Sequence, residues 1–294
     1  MWLTDSFLDY LRYERNYSEE TIKAYRNDIC QFELFSKEEG GELALSDVST
    51  DLIREWIVSL MEKGYTSTSI NRKLSSLRSF YKYLLRKGEV DVDPLRKIIP
   101  PKNKKKLPSF LRENEMDKLL DETYFGEGFK GCRDRVIISV FYATGMRLSE
   151  LIGLNDEDVD FSVSLIKVTG KRNKQRLIPF GEELKNVMME YRELRNKEIL
   201  MQSSAFFVRE TGERLSRIIV ERLVKRHLSK VVTLKKRSPH VLRHTFATTM
   251  LNHDATLGAI KELLGHESLT TTEVYTHTTF EELKKVYNSA HPRA

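Results

Sequence analysis

Between Asp91 and Phe110 the chain reads DVDPLRKIIPPKNKKKLPSF. Pro94, Pro100, Pro101 and Pro108 remove backbone donors and fix φ so often that no helix or sheet ladder can run through the tract. It therefore divides the 294 residues into two bodies joined by an extended connection over residues 96–108. A chain of this length has apolar material for two cores, and 40% apolar residues is ordinary for a globular protein. The expected organisation is a domain at 1–95, the connection, and a second domain at 109–294.

The first 95 residues carry the apolar spacing of helices. Thr4 is placed to cap a helix bearing Phe7, Leu8 and Leu11, and Ser18 a longer one with Ile22, Tyr25, Ile29 and Phe32 inward. Thr50 would cap a third, with Ile53, Trp56, Ile57 and Leu60 inward and Gly64 closing it. A fourth runs from Thr66 or Ser67 to Lys87, with Gly88 as its stop and Ile70, Leu74, Leu77, Tyr81 and Leu84 as its stripe. Off that stripe stand Arg72, Lys73, Ser76, Ser79, Lys82 and Arg86. Such a face serves solubility in most proteins, yet regular cations with small hydroxyls equally suit a DNA groove. Both readings stay open, with Arg72, Lys73 and Lys82 as candidate contacts.

The second domain is expected to open with a helix capped by Ser109 and carrying Met116, Leu119 and Leu120. Residues 121–135 read as a glycine-rich loop, followed by a buried helix from Val136 that ends at Gly145. Arg147 begins the next element, LSELIGL, where Glu150 stands one turn on to hold it; alone, Arg147 would be an ordinary surface arginine. SLIKVTGKRNKQRLIPF reads as two short strands around a turn, a β-hairpin with Lys171 at its tip. Helices follow over 182–201 and 216–230.

The densest stretch is Ser238 to His277. Ser238-Pro239 starts a helix whose Leu242, Phe246 and Met250 face inward. His240 and Arg243 share another face near the positive end of the helix dipole, where a phosphate is a natural occupant. A second helix runs from Thr256 to Leu264, with Leu257, Ile260 and Leu264 as its stripe and Gly265 as its stop, so His266 falls on a turn. Ser268 can cap a short helix carrying Tyr275. Two imidazoles, a guanidinium and a phenol around one point are what a tyrosine attack on a phosphodiester requires. The last segment, TTFEELKKVYNSAHPRA, has a capping box of Thr279 with Glu282 and an apolar face of Phe280, Leu283, Val286 and Tyr287. That face must bury itself on its own domain or on a neighbour.

The formal charge of +6 favours a polyanionic partner, and it is clustered: Lys102 with Lys104, Lys105 and Lys106, then Lys171 to Arg176, then Lys225 to Arg237. The lysines of the connection would make a tether that tracks a phosphate backbone. Cys30 and Cys132 have no metal-ligand spacing; Cys30 is expected packed or half-buried, and a reducing compartment is implied. The N-terminus is not a signal peptide, and the longest apolar run, Val136 to Ala143, is too short for a membrane span. The expectation is a cytoplasmic protein with no membrane partner. Zinc is a poor reading of His240 and His244: the metalloprotease pattern needs Glu after the first His, and here Val241 follows.

Taken together, these residues resemble the tyrosine recombinase/integrase family. Its pattern is an Arg in A-T-G-x-R-x-S-E, a hairpin Lys, H-x-x-R, a His in L-L-G-H, and Y-T-H. Here they stand as ATGMRLSE with Arg147, GKRNK with Lys171, HVLRH with His240 and Arg243, LLGH with His266, and YTH with Tyr275, in the family's order. YSEETIKAYRNDICQF and STSINRKLSSLRSFYKYL are similar to the family's core-binding domain, and no extra arm-binding domain is expected ahead of it. The length and the ending are similar to the bacterial Xer recombinases, which resolve chromosome dimers.

The resemblance implies a mainly α fold with a small β-sheet or hairpin in the catalytic domain. It implies two domains forming a clamp around DNA, a helical SAM-like core-binding domain and a catalytic domain. It implies Tyr275 as nucleophile, Arg147 and Arg243 on the phosphate, His240 as general base, Lys171 as general acid and His266 as a hydrogen-bond donor to the phosphate. No metal is implied, because two guanidiniums do what a divalent ion does at other phosphoryl-transfer sites, and no ATP, because the product is a 3′-phosphotyrosine that keeps the bond energy. Implied partners are double-stranded DNA, contacted also by Lys104, Lys105, Lys106 and Arg172, and a homo- or hetero-tetramer with a related recombinase on two sites. A DNA translocase is a further candidate, with roles in chromosome partition and cell division. The C-terminal helix, about 280–294, would pass to the next subunit. Alternatives are a mobile-element integrase of the same chemistry, a type IB topoisomerase, and a non-catalytic DNA-binding protein, which a lost Tyr or Arg would signal.

Overall fold

The computed structural model describes residues 3–41, 43–103, 109–121, 124–170, 174–231, 237–265 and 277–294. The chain separates into two compact units, Met1–Lys106 and Leu107–Ala294. The described residues are mainly helical, with one small sheet.

In the first unit, α1 (Thr4–Asp9) runs directly into a single π-helical segment, Tyr10–Glu14. Then come α2 (Glu19–Gly40), α3 (Thr50–Glu62) and α4 (Ser67–Lys87). Ser18 caps α2 and Thr66 caps α4, each side chain accepting from the amide three residues on, and Gly88 closes α4 at φ 73°. Two expected caps differ. Thr4 is the first helical residue and buried, and α3 is capped by Ser49, whose Oγ accepts from Leu52 N at 3.1 Å. Thr50 Oγ1 instead donates to the Pro94 carbonyl at 2.9 Å.

That bond is the first of several that hold the tract after α4. Leu95 and Ile98 join the core of this unit, Arg78 donates to the Ile98 carbonyl, and Asn71 donates to that of Pro101. The proline-rich tract is thus packed on the first unit beyond residue 96, where the sequence suggests an open connection.

α4 is buried on two sides. Ile70, Leu74, Leu77, Phe80, Tyr81 and Leu84 fill one, while Lys73 and Ser76 turn toward α2. There the Asp28 carboxylate, buried, accepts from Arg72 at 2.5 and 2.8 Å, from Lys73 Nζ at 3.1 Å and from Ser76 Oγ at 2.7 Å. Lys73 as an exposed DNA contact is therefore corrected: its side chain is 8% exposed and serves a buried carboxylate. Arg72 is exposed but forked onto the same Asp28, and Lys82 stands on the solvent side. Cys30 is also corrected. It is exposed, since one step along the helix from buried Ile29 rotates the side chain by about 100°.

In the second unit, α5 (Glu113–Leu120) buries Met116, Leu119 and Leu120. Its N-cap position is Arg112, not Ser109, and Glu115 accepts the Arg112 amide at 2.8 Å. The glycine-rich stretch is largely helix, because α6 spans Gly128–Thr144. Gly131 explains the composition: a Cβ there would lie 2.0 Å from the Gly126 carbonyl oxygen. α6 is buried along nearly its whole length between α8 (Glu182–Glu198) and α10 (Pro239–Asn252). Between them come α7 (Leu148–Gly153), an antiparallel sheet in the order β1 (Val159–Asp160), β2 (Leu165–Thr169), β3 (Gln175–Pro179), and later α9 (Arg217–Val231).

α11 (Leu257–Leu264) is capped by Thr256 and stopped by Gly265, as its sequence suggests. Its buried residues are Ala259, Ile260, Leu263 and Leu264; Leu257 is exposed, against expectation. α12 (His277–Ala290) folds back on its own unit, where Leu283, Tyr287 and Ala290 join Phe246, Met250, Ile260 and Leu264 in one cluster. His291 is enclosed by the rings of Tyr142, Phe246 and Tyr287, and burial lowers its pKa to about 4. Arg293 pairs with Asp117 and Glu183. No described helix is long and apolar enough to cross a membrane.

The Asp28 cluster yields a stability test. Asp28→Ala strands the Lys73 ammonium without its counter-charge and should cost about 3–5 kcal/mol in urea unfolding. Lys73→Met leaves Asp28 held by Arg72 and Ser76 and should cost clearly less. Equal losses in the two variants would contradict this account.

Candidate active site

The site begins where α6 stops. Gly145 takes φ 57°, and a Cβ there would fall 2.5 Å from the Phe246 ring and 2.8 Å from Leu264. Only glycine lets α10 and α11 approach this turn. Its carbonyl then accepts from Arg243 Nη1 at 2.5 Å, which fixes the guanidinium of α10 against the end of α6.

Two residues on, Arg147 occupies the N-cap position of α7. Its amide donates to Glu150 Oε2 at 2.6 Å and its Nη1 to Glu150 Oε1 at 2.8 Å, the partnership expected from their spacing. Glu150 is buried and has a second partner that sequence reasoning missed. Arg176 on β3 donates Nη1 to Oε1 at 2.7 Å and Nη2 to Oε2 at 3.0 Å. The signal was present in the strand alternation. Arg176 shares a strand face with buried Ile178, and an inward-facing cation requires an anionic partner.

The three guanidiniums meet again at the carboxyl end of α11. Arg176 Nε donates to the Leu263 carbonyl at 2.9 Å, Arg243 Nη2 to that of Leu264 at 2.7 Å, and Arg147 Nη2 to that of Gly265 at 2.7 Å. These successive carbonyls include the last, unpaired acceptors of a helix, at the negative end of its dipole. The turn that precedes His266 is thereby tied to β3, α10 and α7 together.

Charge at the site is unbalanced toward the positive. Burial, followed by repulsion from Arg147, lowers the Arg243 pKa to about 10, so an anion placed there would be strongly favoured. Burial pushes the Glu150 carboxyl upward, but the hydrogen bonds and charges of Arg176 and then Arg147 outweigh it and keep it ionised. His240, one turn before Arg243, is exposed; partial burial, then the charges of His244 and Arg243, hold its imidazole below the ordinary value of 6.5. A neutral imidazole can take a proton, and paired guanidiniums can fork onto a tetrahedral oxyanion.

Of the residues singled out in the sequence, the structure brings Arg147 and Arg243 together through α11, with His240 on the helix of Arg243. Lys171, Arg172, His266, Ser268 and Tyr275, and likewise Lys104, Lys105 and Lys106, lie outside the described residues. Arg72, Lys73 and Lys82 belong to the first unit.

Comparison with known proteins bears on the same elements. The profile of the phage integrase family matches residues 109–282, and that of the phage integrase N-terminal SAM-like domain matches residues 4–88. The tyrosine recombinase XerC of Chlorobaculum tepidum is 39% identical, covering 100% of this chain and 95% of its own. Among solved structures, the XerA recombinase is 29% identical with a TM-score of 0.51, covering 99% of each chain. The XerH site-specific recombinase bound to palindromic difH substrate shares the fold at 21% identity, with a TM-score of 0.73, covering 96% of this chain and 83% of its own. With a SAM-like helical domain, a helical catalytic domain carrying a small sheet, and this likeness over its whole length, the chain belongs to the phage integrase family and is a site-specific tyrosine recombinase, of the class that cuts and rejoins DNA by transesterification.

Proposed function

We propose that this recombinase is of the Xer type, resolving chromosome or plasmid dimers, and that its six family positions act as their chemistry suggests. The observation that supports this most is the convergence of Arg147 and Arg243 on the end of α11, immediately before His266. A phosphodiester is protected from nucleophiles by its own charge. Two guanidiniums on the non-bridging oxygens offset that charge as it grows in the pentacoordinate transition state.

In this reading the Tyr275 oxygen bonds to phosphorus while the bond to the 5′ oxygen breaks. The phenol proton passes to His240, Lys171 supplies one to the leaving 5′ oxygen, and His266 donates to the phosphate. The 3′-phosphotyrosine is then attacked by a 5′ hydroxyl of the partner duplex, which reverses the step. No net hydrolysis occurs, so the bond energy is kept. Exchange needs two duplexes and four protomers, of one kind or two. Each domain contacts DNA, with Lys82, Lys104, Lys105, Lys106 and Arg172 on phosphates and Arg72 shared with Asp28. A DNA translocase is a candidate activator. The family relationship to XerC supports the dimer-resolving role over that of a mobile-element integrase.

The full chain first selects its site from a randomised duplex pool, and that site is then built into a nicked duplex that traps the covalent complex. Tyr275→Phe should abolish the trapped adduct and leave the gel shift unchanged; an adduct formed by the Phe variant means another nucleophile. The pH profile follows from His240. Its pKa is lowered, so the imidazole stays neutral to lower pH than an ordinary histidine. Adduct formation should therefore fall on the acid side with a midpoint below that of an ordinary histidine, and His240→Ala should remove this acid limb.

We further propose that the C-terminal helix docks on a neighbour in the assembled tetramer. Deleting residues 280–294 should spare DNA binding while impairing assembly and strand exchange. Full recombination by the truncated protein counts against that role.

A further inference from the structure

We infer that Arg176 is a positioning residue for strand cleavage: by acting as the principal counter-ion of buried Glu150, it leaves the Arg147 charge available to the scissile phosphate. The inference rests on the reading of Arg147 as a phosphate ligand and adds to it a residue outside the six family positions.

The argument is one of charge and geometry. Glu150 anchors Arg147 by taking both its amide and Nη1. Without further compensation that anchor would defeat its purpose, because a carboxylate at 2.8 Å inside a low-dielectric site neutralises the guanidinium it holds. Arg176 resolves the conflict. It engages both Glu150 oxygens through Nη1 and Nη2 and is itself withdrawn from solvent, with 9% of its side chain exposed against 31% for Arg147. One carboxylate between two guanidiniums leaves one net positive charge, and the accessible partner is Arg147. Nothing on Arg176 points to direct contact with DNA, since its remaining Nε is bound to the Leu263 carbonyl.

The same bonds give Arg176 a second consequence. It lies on β3, five residues after Lys171 in the chain, and it closes on the end of α11 from which the chain continues to His266. A Cβ at Gly265 would lie 3.2 Å from its guanidinium and its Cδ, a tight contact at a residue whose φ of 64° already favours glycine. Strand β3 and the end of α11 are thus set relative to Glu150, and so to Arg147, through one side chain.

The test uses the full chain and the nicked duplex carrying its selected site, with single-turnover adduct formation at saturating DNA, binding by gel shift, and folding by circular dichroism. Arg176→Gln should slow adduct formation roughly ten- to a hundredfold with little change in binding, less than the hundred- to thousandfold expected for a donor that touches the phosphate, such as Arg147→Gln. Adding Glu150→Gln to Arg176→Gln should recover about tenfold, because the neutral amide no longer claims the Arg147 charge; adding it to Arg147→Gln should recover nothing. A purely structural role would make the double variant worse. Should Arg176→Gln not fold, the double variant, which strands no charge, decides alone. Adduct formation within about tenfold of wild type supports the inference, and a loss as large as that of Arg147→Gln overturns it. Wild-type rates for Arg176→Gln, or a double variant no faster than Arg176→Gln, overturn it while leaving the site reading intact. A wild-type rate for Arg147→Gln overturns both.

Discussion

The catalytic unit depends on how a helix end meets three cations. A helix ends with unpaired carbonyls and a partial negative charge, and α11 turns that end toward Arg147, Arg176 and Arg243 from three different elements. Each guanidinium is a rigid fork, so binding one carbonyl sets the direction in which its other donors point. The buried Glu150 carboxylate supplies the remaining constraint, holding Arg147 from one side and Arg176 from the other. Mutual repulsion among the arginines is thereby tolerated, and the residual positive charge is directed at one place.

Bringing those cations so close requires the backbones to come close first. Gly145 and Gly265 are both in the left-handed region; a Cβ at Gly145 would collide with Phe246 and Leu264, and one at Gly265 would press tightly on the Arg176 side chain. The floor beneath is α6, buried along nearly its whole length, against which α10 packs with Val241 and Leu242 in the shared core, while its Phe246 and Met250 face α11 and α12. α12 completes this layer by folding back over Phe246 and Met250, with His291 held neutral among three rings.

Much of this was legible in the sequence because it is local. Ser18, Thr66 and Thr256 cap the helices they precede, Gly88, Gly145 and Gly265 stop theirs, and the hairpin pairs across its turn. The Arg147–Glu150 pair follows from a three-residue spacing at a helix start. What escaped is long-range. Lys73 and Ser76 look like a solvent face of α4 until Asp28 of α2 is set opposite them. Thr50 looks like a cap until Pro94 offers its carbonyl and Ser49 serves instead. The glycines between 126 and 131 suggest an open loop until Gly131, inside α6, is seen to admit the Gly126 carbonyl.

Sequence alone determined the helical class, the division of the chain at its proline-rich tract, and the order of the six family positions, since periodicity, breakers and motif spacing are properties of neighbouring residues. Tertiary structure decided which cations are spent inside and which are left over, for Lys73 and Arg176 neutralise buried carboxylates while Arg147 keeps its charge accessible. The physical reason is that a charge acquires its meaning from the burial and partners supplied by distant segments, and those exist only once the chain has packed.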